Sequence, residues 1–135
     1  MIRLKNVEDL KIENISYNPT KKAEKAFILV FDNLTVESSA NLSKRVSIER
    51  ILDVSTNQAY RLIVKVSFIV NAEVSDDEQS GETTDTITEQ FFRRNPNMLG
   101  IPLSFISMLI SQITGSFGQV PLITSTVLYP PMTSK

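Results

Sequence analysis

The stretch YRLIVKVSFIVNAEV, residues 60–74, sets Tyr60, Leu62, Val64, Val66, Phe68, Val70, Ala72 and Val74 on one side and Arg61, Lys65, Ser67, Asn71 and Glu73 on the other. A period of two held for that long excludes a helix and predicts a strand with one face in a core. Ile63 and Ile69 interrupt the polar side, so part of that face is expected to be covered as well. AFILVFDNLTVES (26–38) is rich in β-formers through both faces at its start, and RVSIERILDV (45–54) resumes after the loop SSANLS. LKIENISY, before the turn signal NPTKK, adds a further strand. The acidic tract SDDEQSGETTD (75–85) contains Gly81 and reads as a hairpin connection, after which TITEQFF (86–92) is expected to return antiparallel to 60–74. The expected sheet has about four antiparallel strands in a meander or Greek key. A chain of 135 residues without repeat, low-complexity tract or linker fits a single domain, 1–135.

A different segment follows. NPNMLGIPLSFISMLISQITGSFGQVPLIT begins at Asn95, and no Asp, Glu, Lys or Arg occurs between Arg94 and Lys135. Pro102 suits the first turn of a helix and Gly115 its stop. Between them Leu103, Phe105, Ile106, Met108, Leu109, Ile110 and Ile113 cover most of the circumference, and Ser104, Ser107 and Ser111 form a narrow stripe. Such a helix is expected to be buried nearly all round. It is too short, and too interrupted by Ser and Gln, for a membrane span of about 20 apolar residues. The fold class is therefore α+β, a four-stranded antiparallel sheet with one main apolar helix on one face. One sheet covers one side of such a helix. Either a partner surface covers the rest, or the helix sinks between curled sheet edges of a monomer, and both readings stand.

Chemistry is sparse. Cys and His are absent, which removes thiolates, disulfides, imidazole bases and the usual zinc ligands. A formal charge of -1 gives no field to attract nucleic acid or anionic lipid. The amino-terminal MIRLKNVEDLKIEN lacks the apolar core of a signal peptide, so the expected location is cytoplasmic and the sequons at Asn14, Asn33 and Asn41 carry no weight. Asp76, Asp77 and Glu78 lack the spacing of a calcium loop and read as a solvated turn. GSFG (115–118) is too short for a phosphate loop, and Lys21, Lys22 and Lys25 fit an exposed turn. FFRR (91–94) reads as a strand end with Arg residues reaching solvent. No serine has a base to activate it, so an enzyme, a metal site and a cofactor are not expected.

The order of strands, NPN, a Pro-initiated apolar helix, a Gly-containing exit, PLI and an aromatic near the end resembles the SecB family of export chaperones and SecB-like proteins. Pro96-Asn97-Met98-Leu99, Pro102, the helix through Ile113, Gly115-Ser116-Phe117, Pro121-Leu122 and Leu128-Tyr129 carry the resemblance, and residues 60–74 follow it loosely. The resemblance implies a homodimer or homotetramer in which the helix makes subunit contacts, here Leu103, Ile106, Met108, Leu109, Ile110 and Ile113. It also implies an apolar groove that holds unfolded polypeptide without ATP. The matching peptide-binding positions are Phe117, Val120, Leu122, Ile123, Leu128 and Tyr129, which can equally be read as core. SecB proper continues into a second helix, whereas the consecutive prolines of YPPMTSK oppose one, so the export role is not carried over. The expected function is a chaperone-like module for extended or non-native polypeptide, or for one dedicated protein partner. The alternative is a structural or adaptor oligomer, for instance of phage origin, whose apolar surface is permanently filled by subunit contacts.

Overall fold

The computed structural model describes residues 2–38, 43–74, 90, 92–94, 99–116 and 121–131. Among the described residues, four strands, β1 (Ile2–Pro19), β2 (Phe27–Ser38), β3 (Ser43–Ser55) and β4 (Ala59–Val74), and a helix, α1 (Gly100–Gly115), are delimited end to end. The strands form one antiparallel sheet in the order β1-β4-β3-β2. β2, β3 and β4 follow one another as hairpins, and β1 closes against β4 to complete a Greek key. The connection from β1 to β2 must therefore cross the end of the sheet. It does so beneath the turn from β3 to β4, where the amide of Thr20 donates to the carbonyl of Ala59 (3.0 Å) and the amide of Ala23 to the hydroxyl of Ser55 (2.9 Å).

β1 is longer than its sequence suggests. Its register against β4 shifts between Leu4 and Val7, between Glu8 and Lys11, and between Ile12 and Asn14, and Asp9 adopts a positive φ of 54°. Each bulge resets which residues face inward, so the alternation that marks β4 is scrambled in its neighbour. β1 takes the flank of β4 that the expected strand would have used. Gln90 and Phe92, the described part of the expected TITEQFF strand, have helical backbone. The rest of that segment lies outside the described residues, as does the acidic tract 75–85.

Even-numbered side chains on β3 and β4 build the core. Val46, Ile48, Leu52, Val54, Leu62, Val64, Val66, Phe68 and Val70 are buried against Phe92, Leu99, Leu103, Ile106 and Ile110. Full burial of such side chains contributes roughly 1.5–3 kcal/mol each. The opposite face mixes an apolar row with polar cross-strand pairs such as Arg61 and Asp53, which meet through two hydrogen bonds of 2.7 and 3.0 Å. The hydroxyl of Ser67 donates to Glu13 there, and that bond lowers the Glu13 carboxyl below its ordinary pKa. Ile63 and Ile69 are half-buried; Ile63 pairs with Ile51, which in turn pairs with Phe31.

α1 starts and stops where Pro102 and Gly115 indicate, without a side-chain cap at its amino end and without a charge in its terminal turns. Its stability thus depends on packing. A β-carbon at Gly115 would lie 3.0 Å from the Pro121 ring, which explains glycine at the exit. The expected burial all round is corrected: Ile101, Ser104, Met108 and Gln112 form a solvent stripe in the single chain. Ser107 beside that stripe is partly covered by the chain itself, donating its hydroxyl to the carbonyl of Thr124 at 2.8 Å.

Phe68→Ala should cost about 3–5 kcal/mol in urea denaturation, as a fully enclosed ring leaves a cavity. Thr35→Ala, on the exposed face of β2, should change stability by less than about 0.5 kcal/mol in the same measurement.

Candidate functional site

On β2, the inward positions run Val30, Asp32, Leu34 and Val36; on β3 they run Val46, Ile48, Arg50, Leu52 and Val54. Asp32 and Arg50 are direct cross-strand partners, so two opposite charges meet inside an apolar face. Both side chains are 0% exposed. Arg50 donates Nε to Asp32 Oδ1 and Nη2 to Asp32 Oδ2, each at 2.7 Å, the parallel fork that makes a guanidinium the fitting cation for a carboxylate.

The remaining guanidinium donors serve the last described segment. Nη1 donates to Thr124 Oγ1 (3.0 Å) and to the Ser125 carbonyl (2.7 Å), and Nη2 donates to the Val127 carbonyl (3.3 Å). Together these five bonds match the five N–H groups of an arginine. The Tyr129 ring lies over the guanidinium, 4.7 Å from its carbon to the ring centroid. Asp32 is used as fully: Oδ2 accepts the Tyr129 amide (2.8 Å), its own amide donates to the Pro130 carbonyl (3.2 Å), and its carbonyl accepts from Arg93 (2.9 Å). Arg93 also donates to the Tyr129 carbonyl (3.2 Å). Arg93 therefore turns inward onto main-chain oxygens, contrary to the solvent-facing role expected of it, while Arg94 is exposed.

Residues 121–131 form a strap without regular secondary structure. It leaves α1 at Thr114, whose hydroxyl accepts the Leu122 amide (2.8 Å), passes Ser107 at Thr124, and reaches the free edge of β2 at Pro130. Next to that meeting point, among the described residues, no strand pairs with the outer edge of β2. Phe27, Ile28 and Leu29 are exposed, Ile28 by 49%, and β2 pairs on its other side with β3 alone. The Asp32 amide points away from β3, and the register is unbroken from Phe27 to Ser38, so the amides of Ile28 and Val30 point the same way.

The sequence-predicted groove residues divide. Phe117 and Val120 lie outside the described residues. Leu122 and Leu128 are partly buried against the core, Tyr129 is held by Arg50, and Ile123 is 79% exposed. Of the expected interface residues, Leu103, Ile106 and Ile110 are fully enclosed by their own chain and have no surface left for a second one. Leu109 and Ile113 are half-buried, and Met108 is exposed. The Asp32 and Arg50 pair escaped the sequence reading. Its signal was a charge on the apolar parity of two adjacent strands, with opposite signs.

A solved structure of the Mycobacterium tuberculosis Rv1957 SecB-like chaperone, in complex with a ChAD peptide from the Rv1956 HigA1 antitoxin, matches over 93% of this chain and 88% of that one, with a TM-score of 0.65 and 15% identity. The fold is SecB-like. A protein of unknown function from Streptococcus agalactiae aligns over 93% of this chain and 98% of that chain with a TM-score of 0.45 and 10% identity. No protein-family model and no curated protein sequence matches the chain. Among the described residues no helix is long and apolar enough to cross a membrane.

Arg50→Met leaves the Asp32 carboxylate buried without its cation and should cost about 3–5 kcal/mol. Asp32→Leu should cost a similar amount, and the double substitution should cost clearly less than the sum of the two. Urea denaturation of the three variants checks this, and strict additivity would show that the charges are not coupled.

Proposed function

We propose that this chain is a non-enzymatic, chaperone-like module that holds extended or non-native polypeptide without a nucleotide. The observation that carries this reading is the open β2 edge: exposed Phe27, Ile28 and Leu29 beside main-chain groups that no described strand pairs. A regular edge of this kind is a template for another strand, and proteins with no use for such a template break it with charges, prolines or bulges. β2 has none of these between Phe27 and Phe31, whereas β1 is bulged three times. Main-chain hydrogen bonds would supply affinity independent of client sequence, and apolar burial at about 25 cal/mol per Å² would favour non-native segments. The similarly folded mycobacterial protein was captured with a peptide of another protein, which agrees with this reading. A cytoplasmic location belongs to the same proposal.

A second reading has its own support. Ile12, Ile15 and Tyr17 pair with Val66, Val64 and Leu62 on the core-facing side of β1, yet they stay exposed, as do Met108 and Ile101 on α1. These residues offer apolar area to a second copy, as a homodimer or homotetramer would use it. In the structural or adaptor form of this reading, such contacts are the chain's whole role.

Client binding is tested with a permanently unfolded polypeptide against its native form, with particle mass recorded throughout. Ile28→Pro deletes an amide that faces away from β3, so the sheet should persist while affinity falls about tenfold or more, a loss of ~1.4 kcal/mol. Equal binding by this variant would exclude the β2 edge. Met108→Asp should give smaller particles in light scattering with client binding retained. Absence of client binding by an intact oligomer would instead favour the structural reading.

A further inference from the structure

We propose that Asp32 and Arg50 form a binding site for polypeptide main chain, and that the strap 121–131 is its resident occupant, displaced when an extended client binds. The inference rests on the reading of the chain as a polypeptide holder.

The contacts between the pair and the strap are made almost wholly to backbone. Arg50 holds the carbonyls of Ser125 and Val127, Asp32 holds the amide of Tyr129 through its carboxylate, and the Asp32 amide holds the carbonyl of Pro130. Thr124 supplies the one side-chain acceptor in the set. The strap bends at 126–127, where the Val127 amide donates to the Ser125 hydroxyl, so the carbonyls of Ser125 and Val127 converge on one guanidinium; an extended chain also presents carbonyls two residues apart on one side. Any extended polypeptide carries that pattern, whatever its side chains.

Apart from these bonds and the buried Thr124, the strap has few enclosing contacts. It has no regular structure, Ile123 is mostly exposed, and Leu122, Val127 and Leu128 are half-buried. If it leaves, Arg50 keeps its fork to Asp32, but its other donors need acceptors, since a buried donor without a partner is costly. A client's carbonyls meet that need. The route is continuous: a strand laid along the β2 edge past Ile28 and Val30 arrives next at the Asp32 amide, where the Pro130 carbonyl sits. Exchange therefore begins at the Pro130 end, while the bonds of Thr114 and Ser107 retain the strap at its α1 end.

The test is hydrogen exchange on the full chain with and without a reduced and alkylated, permanently unfolded polypeptide. In the complex, the amides of Ser125 and Tyr129 should exchange at least about tenfold faster, and those of Ile28 and Val30 should slow. Slowed exchange at Ile28 and Val30 with unchanged or slower exchange at Ser125 and Tyr129 would overturn the displacement and leave the proposed function standing. No binding at all would overturn both. Tyr129→Leu removes the ring over Arg50 and the hydroxyl that accepts the Ser125 amide, without touching β2. It should tighten client binding about threefold or more, and weaker binding by the folded variant would count against the inference.

Discussion

Asp32 and Arg50 face each other across β2 and β3 in a row whose neighbours along each strand, Val30 and Leu34 on one and Ile48 and Leu52 on the other, are apolar. Taking both charges out of water costs several kcal/mol per ion, and their mutual attraction offsets this only when every remaining donor and lone pair is met. Two strands cannot do that alone. The structure meets the demand by bringing Arg93 and residues 124–130 to the same point, and among the described residues no buried side-chain nitrogen or oxygen lacks a partner. The path of the carboxy-terminal segment is thus a consequence of one ion pair. An apolar pair at the same positions would hold the sheet together and leave the strap without a reason to lie where it does.

Ser104 and Gln112 face solvent, but at the buried positions of helix and strap, on the inward side of the sheet, an added Lys or Glu would need a second set of partners. Ser and Thr suit that environment, since a hydroxyl can meet a carbonyl or an amide without carrying charge, as Ser107 and Thr114 do toward Thr124 and Leu122. Charges instead populate the opposite face, where Arg61 and Asp53 meet in positions reached by water and Glu13, itself exposed, accepts from the buried hydroxyl of Ser67.

What the sequence disclosed follows periodicity. β4 shows its alternation directly, β2 and β3 emerge to within a residue or two, and Pro102 and Gly115 mark the helix. These features are local. β1 was recognised only in its second half, because three bulges destroy the parity that identifies a strand. TITEQFF has the composition of a strand, but β1 holds the flank of β4 that it would need, a decision taken by the topology. The strap is harder still. Its residues carry no period, and its position depends on Asp32 and Arg50, whose meeting requires the register of two strands. Tyr129 was singled out for an apolar groove; its ring instead covers a guanidinium, a role that composition alone does not distinguish.

The two edges of the sheet are unlike. β2 is regular along its whole length, while β1 is kinked at three places and carries Asp9 in a left-handed conformation. A sheet with two regular edges can stack end to end without limit, each copy adding its strand to the next. Here β2 is unbroken from Phe27 to Ser38, whereas β1 keeps a regular register only from Asn14 to Pro19. The bulged edge opposes repeated edge-to-edge addition, and a fibre needs both margins.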